Sequence, residues 1–307
     1  MSTRILQRVL IYTLLLLGSA TFLMPLLLMI ATGLKPIEQT MSVPPTWIPY
    51  RLYVQKDGVL IEIKQADVNR YPAVSIIKKP APRWGNYVEA IKAMKLFPRY
   101  LSNTVILCVL TVVGTVLSSS LAAYGFSRIE WRGRNSLFVL ALATMMVPFP
   151  VTMVPLYSLF RWLGWIGTLK PLWVGSFFAG AFNVFLLRQF FMTLPKDLSE
   201  AARIDGCSEF RIFWQIVLPL CRPALMVVAL FQFMYTWNDF MGPLIYLTNQ
   251  KDFTLALGLQ FFQSQLGGTE WHYLMAASTL VALPIIVLFF FTQRTFIEGI
   301  SMTGIKG

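Results

Sequence analysis

The chain has 307 residues, 56% of them hydrophobic and only 13% charged, with a mean hydropathy of +0.62, a balance that excludes an ordinary soluble domain and describes an integral membrane protein. A formal net charge of +12 invites a nucleic-acid reading. The basic residues, however, stand at the ends of apolar runs and not along one polar face with interleaved aromatics, so membrane orientation accounts for them better.

Arg4 and Arg8 precede an apolar run from Val9 to about Gly33. Gly18-Ser19-Ala20 mimics a signal cleavage site, but the run continues from Phe22 to Ile30. That is too long for a signal segment and enough to cross about 30 Å of hydrocarbon, so residues 1–33 are read as a retained first span. Residues 34–100 form a polar excursion punctuated by Pro44, Pro45, Pro49, Pro72, Pro80 and Pro82. Within it, Tyr50–Gln65 places strand-forming residues on both sides of Asp57-Gly58, which predicts a small β hairpin over about 50–65, held by its neighbours.

Residues 101–307 are read as a core with five further spans, near Leu101–Phe126, Ser136–Leu163, Leu172–Leu187, Ala224–Leu247 and Tyr273–Phe291, giving six in all. The predicted class is all-α integral membrane. The stretch before span one and the short loops after spans two, four and six collect Arg4, Arg8, Arg128, Arg132, Arg134, Arg188, Lys196, Arg203, Arg211, Arg222, Arg294 and Lys306. The alternate short loops hold only Arg161, Lys170 and Lys251. Positive charge of this kind stays on the cytoplasmic side, so both termini and the 193–219 loop are expected there and the first excursion outside.

Span three contains Pro148, Pro150 and Pro155, which must break or kink it. Broken backbone at membrane depth is tolerated where protein buries it or a wet cavity borders it, so Pro148 and Tyr157 are candidates for a translocation path. Simple kinking for packing explains them equally well. Span five carries Trp237, Asn238 and Asp239, an aromatic beside hydrogen-bonding groups that suits sugar contact, and Asn183 is the polar residue of span four. An interfacial tryptophan with helix-capping neighbours is the plainer reading. His272, the sole histidine, stands at a span boundary. Cys108, Cys207 and Cys221 have no ligand spacing and read as free thiols. No Gly-x-x-x-x-Gly-Lys-Ser/Thr loop is present, so the energy source must be another chain.

The most informative stretch is polar: Thr193 to Pro219 between spans four and five. It reads as two short helices with a bend, Pro195 at the first helical position and Gly206 as the left-handed residue that closes the helix. Leu198, Ala201, Ala202 and Asp205 fall on one face, with Lys196, Glu200 and Arg203 pointing elsewhere. Ser208 suits the cap of the second helix, whose Phe210, Phe213, Trp214 and Val217 form a bulky stripe that Pro219 ends.

Glu200-Ala-Ala, three residues, Gly206, nine residues, Ile216, one residue and Leu218-Pro219 resemble the coupling loop of ABC importer membrane subunits of the carbohydrate type. The likeness extends to Trp84-Gly-Asn-Tyr87, Asn103-Thr104, Ala122–Arg128, Pro155-Leu-Tyr157, Thr236-Trp-Asn-Asp239, Gln293-Arg294 and Gly304–Gly307, with the hairpin region the main departure. The resemblance implies a permease subunit of a bacterial inner membrane importer for a sugar or sugar-like solute. Its implied partners are a homologous second permease, two ATPase subunits and an extracytoplasmic solute-binding protein, with no cofactor in this chain and ATP and magnesium on the ATPase. It implies that Leu198, Glu200, Ala201, Ala202, Asp205, Gly206, Leu218 and Pro219 engage the ATPase. The 299–307 tail, with Gly299, Gly304, Lys306 and Gly307, would reach the ATPase interface, and Gln250–Gly268 would help empty the binding protein. The rival classes are a membrane-embedded enzyme, for which the spans offer only Asn183, Asn238 and Asp239, and a scaffold subunit.

Overall fold

A backbone in hydrocarbon must satisfy its own hydrogen bonds, and the apolar runs accordingly appear as helices. The computed structural model describes residues 3–43, 46–56, 59–63, 65–71, 76–263 and 269–304. Four helices are long and apolar enough to cross a membrane: Ile5–Gly33, Phe97–Ser127, Lys170–Thr193 and Trp271–Gln293. Two bent helix pairs, Arg134–Met146 with Phe149–Trp162 and Glu209–Leu220 with Arg222–Asn238, bring the number to six if each pair is one span.

The chain divides into two compact units, residues 1–97 with 259–284, and residues 98–258 with 285–307. The first contains α1 (Thr3–Gly33), three strands, β1 (Tyr50–Lys56), β2 (Val59–Ile63) and β3 (Ile76–Pro80), and α2 (Gly85–Ala93). The strands form one antiparallel sheet in the order β2-β1-β3, with Leu52 opposite Ile63 on one side and Lys78 on the other. The turn expected at Asp57-Gly58 lies outside the described residues. The third strand has no alternating apolar pattern and is invisible without its partner. Leu52 and Val54 are buried on one face of β1, while Arg51 on the other pairs with Glu62 at 3.0 Å. The sheet is fastened by Gln39, whose amide group bonds the Tyr50 carbonyl and N–H, and α2 is fastened by buried Asn86, which donates to the carbonyls of Gly33 and Lys35.

The second unit is organised on α3 (Phe97–Ser127). α4 (Arg134–Ala143) and α5 (Phe149–Trp162) follow where one span is expected, bent by 97° at Val147-Pro148. Val147 is extended, as the residue before a proline prefers, and Pro148 enters α5 without an N–H to lose. The next segment, Lys170–Thr193, is interrupted before α6 (Ala181–Thr193), with Ala179 at φ +47°. Ser118 of α3 repairs the interruption: its hydroxyl donates to the Ser176 carbonyl and accepts from the Ala179 N–H, at 3.0 and 3.1 Å. Gly114 permits that approach, because a Cβ there would sit 2.6 Å from the Phe177 ring.

After the loop considered below, α9 (Arg222–Asn238) and α10 (Met241–Tyr246) run to the segment at residues 250–258, and α11 (Trp271–Gly304) closes the chain. Asn103 and Thr104, near the start of α3, hold residues 251–255: the Asn103 amide donates to the Lys251 and Phe253 carbonyls, and the Thr104 hydroxyl accepts from the Leu255 N–H. Gly114→Val is expected to destabilise the purified chain by about 1–3 kcal/mol through overpacking against Phe177. Its detergent-solubilised melting temperature checks this; an unchanged value would mean the ring swings aside freely.

Candidate functional site

The site is the loop between α6 and α9. α7 (Asp197–Ile204) starts two residues later than expected, so Pro195 stands before the helix and not at its first position. Gly206 closes it at φ +79°, with the Cys207 N–H reaching the Ala202 carbonyl at 2.9 Å and the Gly206 N–H the Arg203 carbonyl at 3.0 Å. These are the two crossed bonds of a Schellman ending, which fixes the turn between helices. α8 (Glu209–Leu220) follows at once, its first turn capped by the Ser208 hydroxyl. It passes through a π-helical turn at Phe213–Val217, and Pro219 is carried within its last turn. At about 18 Å this helix is too short to span hydrocarbon, and it meets α9 at 80°.

The two short helices bury one side and leave the other open. Ala202, Ile212, Phe213 and Val217 are buried in one core with Ala123 and Tyr124 of α3, Phe138 of α4, Val184, Leu187 and Phe191 of α6, and Ala224 and Val228 of α9. Burying side chains of this size contributes about 1.5–3 kcal/mol each for the large ones, so the loop is part of the bundle and not a flexible connector. Ala202, expected on the presented face, therefore packs inward at 6% exposure, and Leu218 lies partly against the same core. The outward face is Leu198, Ala201, Ile204 and Asp205, with Ile204 87% exposed. Glu200, Gly206 and Pro219 are also exposed. The aromatic stripe splits likewise: Phe213 is buried, while Phe210 and Trp214 stack on each other in the open.

Polar contacts tie this loop to the long helices. The Glu209 carboxylate accepts from the Tyr124 hydroxyl of α3 and from Arg203 Nε of α7, both at 2.6 Å. The Arg203 hydrogen bond, joined by that of Tyr124, holds the Glu209 carboxyl below the usual carboxylate range. Its contribution is thus present above the ordinary carboxylate pKa and is lost only as pH falls through the depressed value. Arg128, at the end of α3, donates to the Phe191 and Leu194 carbonyls at 2.6 and 2.7 Å, closing the last turn of α6. Arg188 of α6 donates to the Phe126 carbonyl and lies 4.2 Å from the centre of the Phe138 ring. Sequence reasoning missed Tyr124, Arg203, Glu209 and Ile204 as functional residues. Arg203 and Glu209 face each other only because Gly206 turns the chain between them, a signal open to sequence reading; the Tyr124 contact spans 85 residues and has no local signature.

The candidate path residues are not gathered in one place. Tyr157 stacks with Tyr246 at 6.4 Å, and Phe160 meets Tyr246 edge-on. Asp239 accepts from the Gly242 N–H at 3.0 Å, capping α10. Asn238 is exposed and bonds the Met234 carbonyl, whereas Trp237 is 3% exposed and stacked on Phe233. Tyr235, 68% exposed and one helical turn before Asn238 on α9, was not singled out from the sequence. Pro148 opens α5, and Asn183 lies in the first turn of α6, each on a different element from the Tyr246 ring that Tyr157 stacks on. In the tail, Gly299 and Gly304 lie in α11, and Lys306 and Gly307 fall outside the described residues.

Comparison with known proteins defines the class. Residues 87–301 match the family model of the binding-protein-dependent transport system inner membrane component. The arabinooligosaccharides transport system permease protein AraQ of Halalkalibacterium halodurans is 36% identical over 222 residues, 72% of this chain and 79% of that one. The trehalose/maltose transport system permease protein MalG of Thermococcus litoralis is 35% identical over 224 residues, 72% of this chain and 81% of that one. Among solved structures, a bacterial ABC transporter involved in import of the acidic polysaccharide alginate superposes with a TM-score of 0.73 over 96% of this chain and 98% of its own, at 20% identity. The chain belongs to the family of inner membrane components of binding-protein-dependent transport systems. It is a transport permease subunit, not an enzyme.

Tyr124→Phe removes one of the two donors to Glu209 and is expected to destabilise the chain by about 1.5–3 kcal/mol, the worth of a hydrogen bond to a charged group. Solvent-screened Arg203→Gln should cost less. Thermal unfolding of the two variants side by side checks the order, and equal, negligible shifts would show that Glu209 is not the tie.

Proposed function

We propose that this chain is one of two homologous permeases of an ATP-driven importer for a sugar or sugar-like solute, with six spans, both termini and the α6–α9 loop in the cytoplasm, and the sheet outside. Curated relatives that carry arabinooligosaccharides and trehalose/maltose support the solute class. The exposed Tyr235 and Asn238 side of α9 supplies the aromatic and amide chemistry that sugars use. Basic residues at one set of loop ends support the orientation. The observation that carries the mechanism is the outward face of α7, where Leu198, Ala201 and Ile204 stay exposed among the described residues, on a helix bonded through Glu209 to α3.

In this reading α7 docks in a groove of a separate ATPase, which binds the ATP and magnesium. Leu198, Ala201 and Ile204 enter the groove, Glu200 and Asp205 border it, and Gly206 sets the angle. Closure of the ATPase pair displaces α7; the inward half of the loop and the Glu209 and Arg128 contacts pass that displacement to α3 and α6. The two permeases then rock between outward-open and inward-open states, and nucleotide shifts the balance only by its different affinity for the two. The 299–307 tail adds a second ATPase contact, and the binding protein delivers solute at the outer face; a periplasmic protein is bound in a related alginate transporter structure.

Glu200→Lys, or Gly206→Val at a positive φ that a branched side chain resists, should leave membrane insertion intact while abolishing solute uptake in vesicles holding the full complex. Wild-type uptake by both variants refutes the docking. The chain purified alone should hydrolyse no ATP above background, with activity restored on adding the ATPase; hydrolysis by the chain alone would overturn the division of labour.

A further inference from the structure

Between the end of α3 and the inward side of α7 lies a cleft of about 540 Å3 that coupling does not explain. Its lining includes Arg128, Arg134, Lys196 and Ser199, with Met192 and Ile129 as apolar flanks. Three details mark it as built for a polar guest. Ser199 of α7 is only 3% exposed and lies in the lining, a hydroxyl inside the cleft wall. Arg128 Nε is buried and unpartnered, although the same guanidinium donates to the Phe191, Leu194 and Pro195 carbonyls. Arg128, Arg134 and Lys196 form no ion pair among the described residues, while the Arg203 charge on the same wall is already matched by Glu209. Glu130 and Glu200 also line the cleft, and neither pairs with these cations.

A buried hydroxyl, an orphan guanidinium N–H and unmatched cations in a cavity of this volume ask for an anion that accepts several hydrogen bonds. We propose that the cleft binds a phosphate ester and that its occupancy stiffens the seat of α7. An anionic phospholipid headgroup and a soluble phosphate ester share that chemistry. The apolar flanks and the position of the cleft, at the end of a membrane-spanning helix on the proposed cytoplasmic side, suit the glycerol of a headgroup in addition to its phosphate. Through Ser199 the ligand would bond α7 itself; through Arg128 it would touch the residue that closes α6. Bound phosphate would thereby tighten the strap that Glu209 begins. Binding stands independently of the proposed ATPase docking; only its effect on coupling rests on that reading.

The test uses the complete complex in lipid nanodiscs of phosphatidylcholine, with or without phosphatidylglycerol, and in phosphatidylcholine discs with added glycerol phosphate. Native mass spectrometry counts retained anionic lipid, and solute-stimulated over basal ATPase reports coupling. Arg134→Gln with Lys196→Gln, and separately Ser199→Ala, remove cleft donors without touching the Arg128 carbonyl contacts. The wild type should retain phosphatidylglycerol, the paired variant should lose it about tenfold, and Ser199→Ala should weaken it severalfold. Glycerol phosphate reproducing the coupling gain in phosphatidylcholine discs assigns the site to soluble esters and supports the anion chemistry. Equal lipid retention by wild type and variants, with no response to glycerol phosphate, overturns the proposal, as does a crosslink showing an ATPase side chain filling the cleft. Retention that falls in the variants while the ATPase ratio never depends on α7 keeps the anion site and overturns the docking reading instead.

Discussion

One carboxylate joins the loop between α6 and α9 to the long helix α3. Glu209 accepts from Tyr124 in the long α3 helix and from Arg203 in α7, so a short helix of the loop and a long apolar one share a single acceptor. Each bond alone is modest after exchange with water. Their geometry matters more than their sum: two donors from different elements leave the carboxylate little freedom to rotate without breaking one of them. The core beneath supplies the cohesion, because Ala202, Ile212, Phe213 and Val217 are buried with residues of α3, α4, α6 and α9. The polar contacts supply direction, and Arg128 repeats the device on the other flank by capping the last carbonyls of α6.

The same physics explains where the spans break. An interruption exposes backbone groups that lipid will not satisfy, and three of those found here have a local answer. Ser118 supplies both a donor and an acceptor to the break before α6; Asp239 caps α10; Pro148 starts α5 with no N–H to satisfy. The chain bends by 97° between α4 and α5 and by 80° between α8 and α9. Aromatic groups such as Tyr157, Phe160 and Tyr246 collect near them.

Much of this was legible in the chain. Apolar length located the long helices, the prolines of residues 148–155 announced the bend, and Gly206 with Ser208 marked the turn and the cap. Other features depend on information no local pattern carries. Helical spacing placed Ala201 and Ala202 on one face, but adjacent residues are 100° apart, and a helix lying on a bundle divides them: Ala202 goes to the core and Ala201 stays out. β3 is an edge of Ile-Ile-Lys-Lys-Pro without alternation, recognisable only beside β1. Trp237 read as open because tryptophan beside Asn-Asp suggests an interface; its burial against Phe233 follows from packing across α9.

The division of the loop into a buried half and an open half bears on how force could pass through it. A coupling element must be fixed to its own subunit more firmly than to its partner, or motion of the partner would peel it away. Here the inward half has a buried apolar core, a charge-assisted bond to α3 and another between its own two helices, whereas the outward half offers an apolar ridge of Leu198, Ala201 and Ile204 with acidic neighbours. Association through such a ridge loses much of its gross gain to lost freedom of the partners, while the intramolecular contacts are already paid for by folding. Under the proposed docking, this asymmetry would make the loop a lever attached at the permease end, with the adjustable joint at the surface where a separate chain binds.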